Sequence, residues 1–408
     1  MSLTDRDDPS VGSRGTVIDA APFESSTVPR SGVLILEPRP RPETTRVPHA
    51  PGWPRRLVSL DAFRGLAVLG MLLVNDKALG PWTPSQLTHG GWSGRIHLAD
   101  YVYPWFLLIV GVAIPFSSRA GLSRWGHFAR VLKRAVMLVL LGCLINSSYA
   151  RRPLFDLGVL QLIGFAYFGG ALLYAMPVRW RLGTAAGLLV AHWALLRFAP
   201  IPGFPGGPFT ENQNVVTYLN QMYLERYGLE NLPAALPTIA LVLIGTGIGD
   251  LLRTESIAGR AKVRMILICG AAMVLTGWLW SLDLPFNKPL WTSPYILVTA
   301  GWGAMVLAAL YHVTDVRGRR GTAFPLVVLG INAITAFVLP ILVNIYILSE
   351  WGWTLSNGKL FSLGDAWFGF FTRPFGLGLG GLLYTLSYLL VWWLVLYWMY
   401  RKRRFLKV

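Results

Sequence analysis

LVSLDAFRGLAVLGMLLVND (57–76), KALGPWTPSQLTHGGWSGRIHLAD (77–100) and YVYPWFLLIVGVAIPFSS (101–118) form one continuous pattern, two apolar runs joined by a polar hairpin loop. Each run is long enough to cross the hydrocarbon core of a bilayer, which takes roughly 20 residues of helix. The polar groups stand near the ends of the first run and in the loop: Asp61 and Arg64 near the start of the first run, Asn75 and Asp76 at its end, then His89, Trp92, His97 and Asp100. Ionisable and amide side chains are costly inside or at the lip of a membrane, so such a cluster marks a functional site.

The rest of the chain repeats the apolar theme. Of its 408 residues 53% are hydrophobic and 14% charged, against about 25% charged in a typical soluble domain. Further apolar segments lie at approximately 128–147, 154–176, 182–199, 233–252, 263–281, 292–313, 324–347 and 378–400. The fold expected is all-α: a polytopic transmembrane helical bundle of roughly 10–11 spans, with a short re-entrant or interfacial helix possible within 349–377. Residues 1–55 are rich in Pro, Ser, Thr and Arg and lack apolar periodicity, so they read as a disordered cytoplasmic tail preceding a transmembrane domain over 56–408. No cleavable leader is visible, and the first span reads as an uncleaved anchor.

The net charge of +17 reads as membrane topology, not nucleic-acid binding. Arg119, Arg124, Arg130, Lys133 and Arg134 follow the second span, and Arg179 and Arg181 the fourth. Arg253, Arg260, Lys262 and Arg264 follow the sixth, and Arg317, Arg319 and Arg320 the eighth; five more basic residues close the chain. All fall on one side if both termini are cytoplasmic, as the positive-inside rule requires. The chain is then a multi-pass protein of the inner cell membrane, with the His89 loop facing outward. Cys143 and Cys269 lie within apolar spans and read as small packing residues.

Several chemistries lack their motifs. There is no H-E-x-x-H, G-x-S-x-G or P-loop pattern, which argues against zinc protease, serine hydrolase and ATPase mechanisms, and no metal site is expected. The glycine run GLGLGGLL (376–383) has no preceding strand and reads as a close helix contact. His89 and His97 stand apart from the other histidines because they share a loop with Trp92 and lead into Asp100. Either can serve as general base, with the carboxylate fixing its tautomer; the alternative is a polar loop covering the bundle mouth. Asp61 and Arg64 are three apart on one helix and can pair. They read equally as a structural salt bridge or as a site where Arg64 meets an anionic ligand.

The order of these pieces resembles a known family. RLVSLDAFRGLAVLGMLLVN, HGGWSG and ADYVYPWFLLIVGVAI, followed by GVLQLIG (158–164), ENLPAALPTIALVLIGTGIG (230–249) and PFNKPLWTSPYILVTAG (285–301), resemble the heparan-α-glucosaminide N-acetyltransferase family and its bacterial relatives. The resemblance covers most of the chain after residue 55. It implies transfer of acetyl from cytoplasmic acetyl-CoA, as co-substrate, to the amine of an amino sugar or envelope glycan on the far side. It also implies His89 as the active-site residue, Asn75 as a second polar group there, and Asp100 as the matching aspartate. Four departures stand out: Ser93 for the Asn of Trp-Asn-Gly, one extra residue between Trp92 and Asp100 with His97 where Thr is usual, Leu162 for Arg, and Asn231 for Gly.

Residues and resemblance together give the expected site. His89 is the base or a transient acetyl carrier, Asn75 a carbonyl or oxyanion contact, and Asp100 the group that orients a histidine or binds the acceptor ammonium. Trp92, His97, Glu230, Asn287, Lys288 and Trp291 are candidates for the sugar pocket. Asp61 and Arg64 are the candidates for contact with acetyl-CoA on the cytoplasmic side. Expected partners are the amino sugar or glycan acceptor, the lipid bilayer and a second copy of the chain as a homodimer, but not nucleic acid. The alternative functions are an amino-sugar permease of the N-acetylglucosamine type, which polar groups along a span pathway fit equally, and an envelope scaffold without chemistry.

Overall fold

The computed structural model describes residues 57–117, 123–202, 210–354, 356, 358 and 360–405; the tail expected over 1–55 lies outside them. The helices are α1 (Val58–Asn75), α2 (Leu98–Ser117), α3 (Arg124–Ala150), α4 (Val159–Leu173), α5 (Val178–Phe198), α6 (Val215–Leu219), α7 (Ala235–Arg253), α8 (Gly259–Trp280), α9 (Ser293–Tyr311), α10 (Phe324–Ile331), α11 (Ala333–Val343) and α12 (Leu363–Arg401). Two three-residue strands, β1 (Gly352–Thr354) and β2 (Leu360–Ser362), pair antiparallel ahead of α12. The protein is an all-α bundle of apolar helices.

Polar contacts at the helix ends sort the bundle into two faces. At one face the Asp315 carboxylate, just past α9, accepts the Val58 and Ser59 amides and so caps α1 from a distant part of the chain. Arg253 at the end of α7 donates to the Pro115 carbonyl near the end of α2, and Arg181 in the first turn of α5 pairs with Asp250. Lys262 donates to the Leu252 carbonyl, and Trp393 of α12 reaches the Pro325 carbonyl at the start of α10. At the opposite face Tyr103 of α2 donates to the Val159 carbonyl of α4. There Arg151, past α3, donates to the Ile345 carbonyl, and Trp193 of α5 to the Asp283 carboxylate. The chain therefore alternates direction through the bundle, and the arginine-rich connections collect at the first face.

Six helices are long and apolar enough to cross a membrane, or seven if α10 and α11, with their flanking turns, count as one span bent by 60°. The other expected spans fall on α3, α4 and α5, which pack among them. Where the sequence allows a re-entrant helix, the β1–β2 hairpin leads into α12, whose Ser362–Asp365 capping box closes its N-terminus. Gly376, at φ +71°, then breaks the direction of α12. Further along, a Cβ on Gly381 would stand 2.0 Å from the Ala78 carbonyl oxygen, and Thr385 accepts the Ala78 amide at 3.1 Å. The glycine run thus seats the chain leaving α1 directly on α12.

The interior is apolar, and its buried helical threonines spend their hydroxyls locally. Phe63, Leu107, Leu108, Ile109, Leu241, Leu243 and Ile296 are fully buried. Thr238, Thr246 and Thr299 donate to carbonyls three or four residues back, which satisfies each hydroxyl within its own helix. The outward side of α8 carries Ile268, Leu275, Trp278 and Leu279, all exposed, as suits a lipid-facing surface. Cys269 is also exposed, so its role is not the interior packing its apolar span implies.

Candidate active site

Asp100, in the first turn of α2, is the centre of the site and is almost fully buried. A carboxylate at a helix N-terminus is favoured by the unpaired amides and the helix dipole there. Its Oδ2 accepts the Gly90 and His97 amides, both at 3.0 Å. Two points of the hairpin loop, seven residues apart, are therefore tied to one oxygen. Oδ1 lies 2.9 Å from His89 Nδ1 and 3.4 Å from Lys288 Nζ. Behind it Tyr295 donates to the Asp100 backbone carbonyl at 2.6 Å.

His89 Nδ1 lies between a carboxylate and an ammonium, for Lys288 Nζ is also 2.9 Å from it. In the tautomer the carboxylate favours, Nδ1–H donates to Asp100 and Lys288 serves as the second charge on the carboxylate. Burial lowers the Lys288 pKa and the Asp100 charge opposes that shift. His89 then offers Nε2 as its basic nitrogen, on a side chain half exposed to the outside of the cluster. His97 is fixed differently: its Nδ1 meets the Thr88 carbonyl at 3.1 Å. A carbonyl sets the tautomer but supplies no charge to stabilise an imidazolium.

The other candidates fall into distinct places. Lys288 reaches the centre directly. Asn287 is buried and builds the turn that carries Lys288, its Oδ1 accepting the Leu290 amide at 2.8 Å. Trp291, at φ +52°, is packed edge-on against Tyr103 and Tyr295, so it supports the cluster from within. Trp92 covers a second small core that includes Leu196, Val215 and Leu290. Glu230 lies near Asp156 and Glu225; burial raises its pKa and these neighbours add to the rise.

Asn75 lines a cavity of about 460 Å³ with Asp76, Asn146, Gln161, Asn344 and Tyr388, among others. Tyr103 links the two centres: it is one turn along α2 from Asp100, and it donates to the carbonyl of Val159, which lines this cavity. A second cavity, of about 350 Å³, is lined by Arg64, Arg134, Ser117 and apolar side chains. Both cavities are walled by Met71, Val159, Leu160 and Phe337, so they adjoin along α1 and α4. Arg64 also lies 3.4 Å from Asp61; the pair and the cavity wall are compatible in one structure. Gln161 was legible as a lone amide in an apolar run, whereas Tyr103, Tyr295 and Tyr388 carry no such signal among the aromatics of a membrane protein. Among the described residues no group of three His, Cys, Asp or Glu could hold a metal ion.

A family model described as heparan-alpha-glucosaminide N-acetyltransferase, catalytic, matches residues 56–281. The chain is 27% identical over 357 residues to heparan-alpha-glucosaminide N-acetyltransferase of Homo sapiens, covering 70% of this chain and 52% of that protein. It is 26% identical over 356 residues to the Mus musculus protein of the same name, covering 69% and 53%. The chain thus spans about half the length of the curated relatives it matches. The family-model match contains His89 and Asp100, while Lys288 and Tyr295 enter the site from beyond residue 281. Since the match takes in more than half of the sequence, the chain belongs to the heparan-α-glucosaminide N-acetyltransferase catalytic family.

Proposed function

We propose that the protein is an acetyl-CoA-dependent N-acetyltransferase of the inner cell membrane, carrying acetyl from the cytoplasmic face to the amine of an amino sugar or envelope glycan outside. The observation that carries this reading is the His89–Asp100 pair: an imidazole held by a buried carboxylate at the face opposite the arginine-rich one. The arginine-rich face is taken as cytoplasmic by the positive-inside rule. Arg64 and Arg134 line the smaller cavity and suit the phosphates of CoA, while its apolar walls suit an extended acyl-carrying arm.

The chemistry follows from that placement. A free amine attacks the thioester carbonyl, forming C–N, and collapse of the tetrahedral adduct breaks C–S. The nitrogen must shed a proton and the departing thiolate must gain one. His89 Nε2 takes the first and supplies the second. Asp100 keeps Nδ1 protonated and balances the imidazolium formed in between. In this reading Lys288 holds the carboxylate in its ionised form, and Asn75 is the donor offered to the developing oxyanion. His89 is favoured over His97 as base because it alone contacts the carboxylate through its ring.

The test is transfer of labelled acetyl from acetyl-CoA inside sealed vesicles to external glucosamine. Comparison of wild type with His89→Ala and His97→Ala identifies the base. Loss with His89→Ala alone is the expected result. Loss with His97→Ala alone moves the base along the loop. Accumulation of sugar without acetyl-CoA and without acetylated product establishes a permease instead.

A further inference from the structure

The larger cavity carries a single charge. Its wall contains Asp76 but no lysine, arginine or histidine. The nearest cation in sequence, Lys77, is spent on the Val74 carbonyl at 2.7 Å. Asp76 stands at the C-terminal end of α1, where the helix dipole is negative and disfavours an anion. Both features raise the local demand for a positive charge. Burial correspondingly pushes the Asp76 carboxyl up to about 6, against a smaller opposing pull from the Tyr388 hydroxyl.

The same wall holds a buried polar atom without a partner. Gln161 is fully buried and its Oε1 makes no hydrogen bond, while the buried Tyr388 hydroxyl is turned to the Asp76 carboxylate. An unpaired buried polar atom is costly, so the Gln161 oxygen in this wall points to a ligand that pairs with it. Space is kept for the Gln161 amide by Gly142, where a Cβ would lie 2.1 Å from Oε1. Met71, Phe337, Pro340 and Ile341 supply an apolar side to the same cavity. One anion, a buried acceptor, a buried hydroxyl and an apolar wall match a cyclic polyol bearing an ammonium group.

We propose that this cavity is the acceptor subsite, and that Asp76 is the counter-ion selecting a hexosamine in its ammonium form over neutral sugars. The assignment rests on the acetyltransferase reading for the word acceptor, and on the cavity alone for the ammonium sugar. It has a consequence for turnover: N-acetylation removes the charge, so the product loses the Asp76 pairing that held the substrate.

The experiment uses the full chain in lipid nanodiscs. Calorimetric titration with D-glucosamine, D-glucose and N-acetyl-D-glucosamine compares wild type, Asp76→Asn and Asp76→Glu, with KM for glucosamine measured in parallel. A hydrogen-bonded charge pair corresponds to roughly tenfold to a hundredfold in affinity. Asp76→Asn is expected to weaken glucosamine by that factor and raise its KM alike, leaving glucose unchanged, while Asp76→Glu retains the preference. Equal losses for all three sugars, or no loss for glucosamine, overturns the proposal, as does wild type that binds none of them. Wild type that acetylates glucosamine with KM indifferent to Asp76→Asn refutes this site and leaves the enzyme standing. Asp76-dependent binding without acetyl transfer does the reverse.

Discussion

At the scale of single residues, Asp100 explains more of the site than His89 does. It fixes the loop through two amides, the tautomer of His89 through Oδ1 and the position of Lys288 through charge. Asp100→Asn keeps the shape but removes the charge and allows the wrong His89 tautomer. Acetyl transfer should fall by about 10²–10⁴-fold in kcat, with KM for the acceptor changed far less; an equal loss in His97→Ala would contradict the assignment. Asp76 gives a different prediction, in pH. Its carboxyl is raised in the folded protein from an ordinary 3.8 to about 6, so the native state binds the proton more tightly. Its contribution is present in full below about pH 4 and is lost as pH rises through 6. Melting temperature of the ligand-free protein in detergent should therefore decline between pH 4 and 7 less steeply in Asp76→Asn than in wild type. Parallel curves would refute this. The His–Asp pairing was legible because a loop of polar residues between two apolar runs is conspicuous. Lys288 was legible only as a residue on the same side, since nearly two hundred residues of intervening chain hide that contact from any local pattern.

At the scale of elements, length and apolarity located the spans but not their breaks. The α10–α11 bend falls at Asn332, a buried side chain whose amide atoms have no partner among the described residues. Such a residue in an apolar run marks the interruption, yet composition alone does not give its angle. The second break, at Gly376, is one member of a glycine run that reads simply as close helix packing. Close packing is present at Gly381, against Ala78, while Gly376 supplies the positive-φ break. The two roles separate by substitution. Gly376→Ala forces a Cβ onto a backbone at φ +71° and ψ 175°, a region essentially reserved for glycine, at a cost of about 1–3 kcal/mol, lowering the melting temperature with little change in KM. Gly381→Val drives a side chain into the Ala78 carbonyl and displaces the segment beginning at Asn75. It should raise the acceptor KM along with any loss of stability. Equal effects of the two substitutions on KM would show that the α1–α12 contact does not position the cavity.

At the scale of the molecule, the two faces are what make transfer across a bilayer conceivable in one chain. Arg179, Arg181, Arg253, Arg260, Arg264, Arg317, Arg319 and Arg320 lie in or beside the α4–α5, α7–α8 and α9–α10 connections, and polar contacts tie the ends of α7 and α9 to the end of α2 and the start of α1. The His89 loop belongs to the other end, and the adjoining cavities lie between. The orientation itself rests on charge asymmetry, which biases insertion through interactions of Lys and Arg on the cytoplasmic side. It can be measured directly. In a background with Cys143→Ser and Cys269→Ser, one cysteine is introduced at exposed Ser85 in the hairpin loop, or at exposed Thr322 ahead of α10. In intact cells with a permeabilised outer layer, a membrane-impermeant maleimide should label Ser85→Cys at once and Thr322→Cys only after the membrane is opened. The opposite order would put His89 in the cytoplasm alongside the acetyl donor. The two cavities would then have no transfer to accomplish, and a cytoplasmic acceptor would replace the envelope sugar.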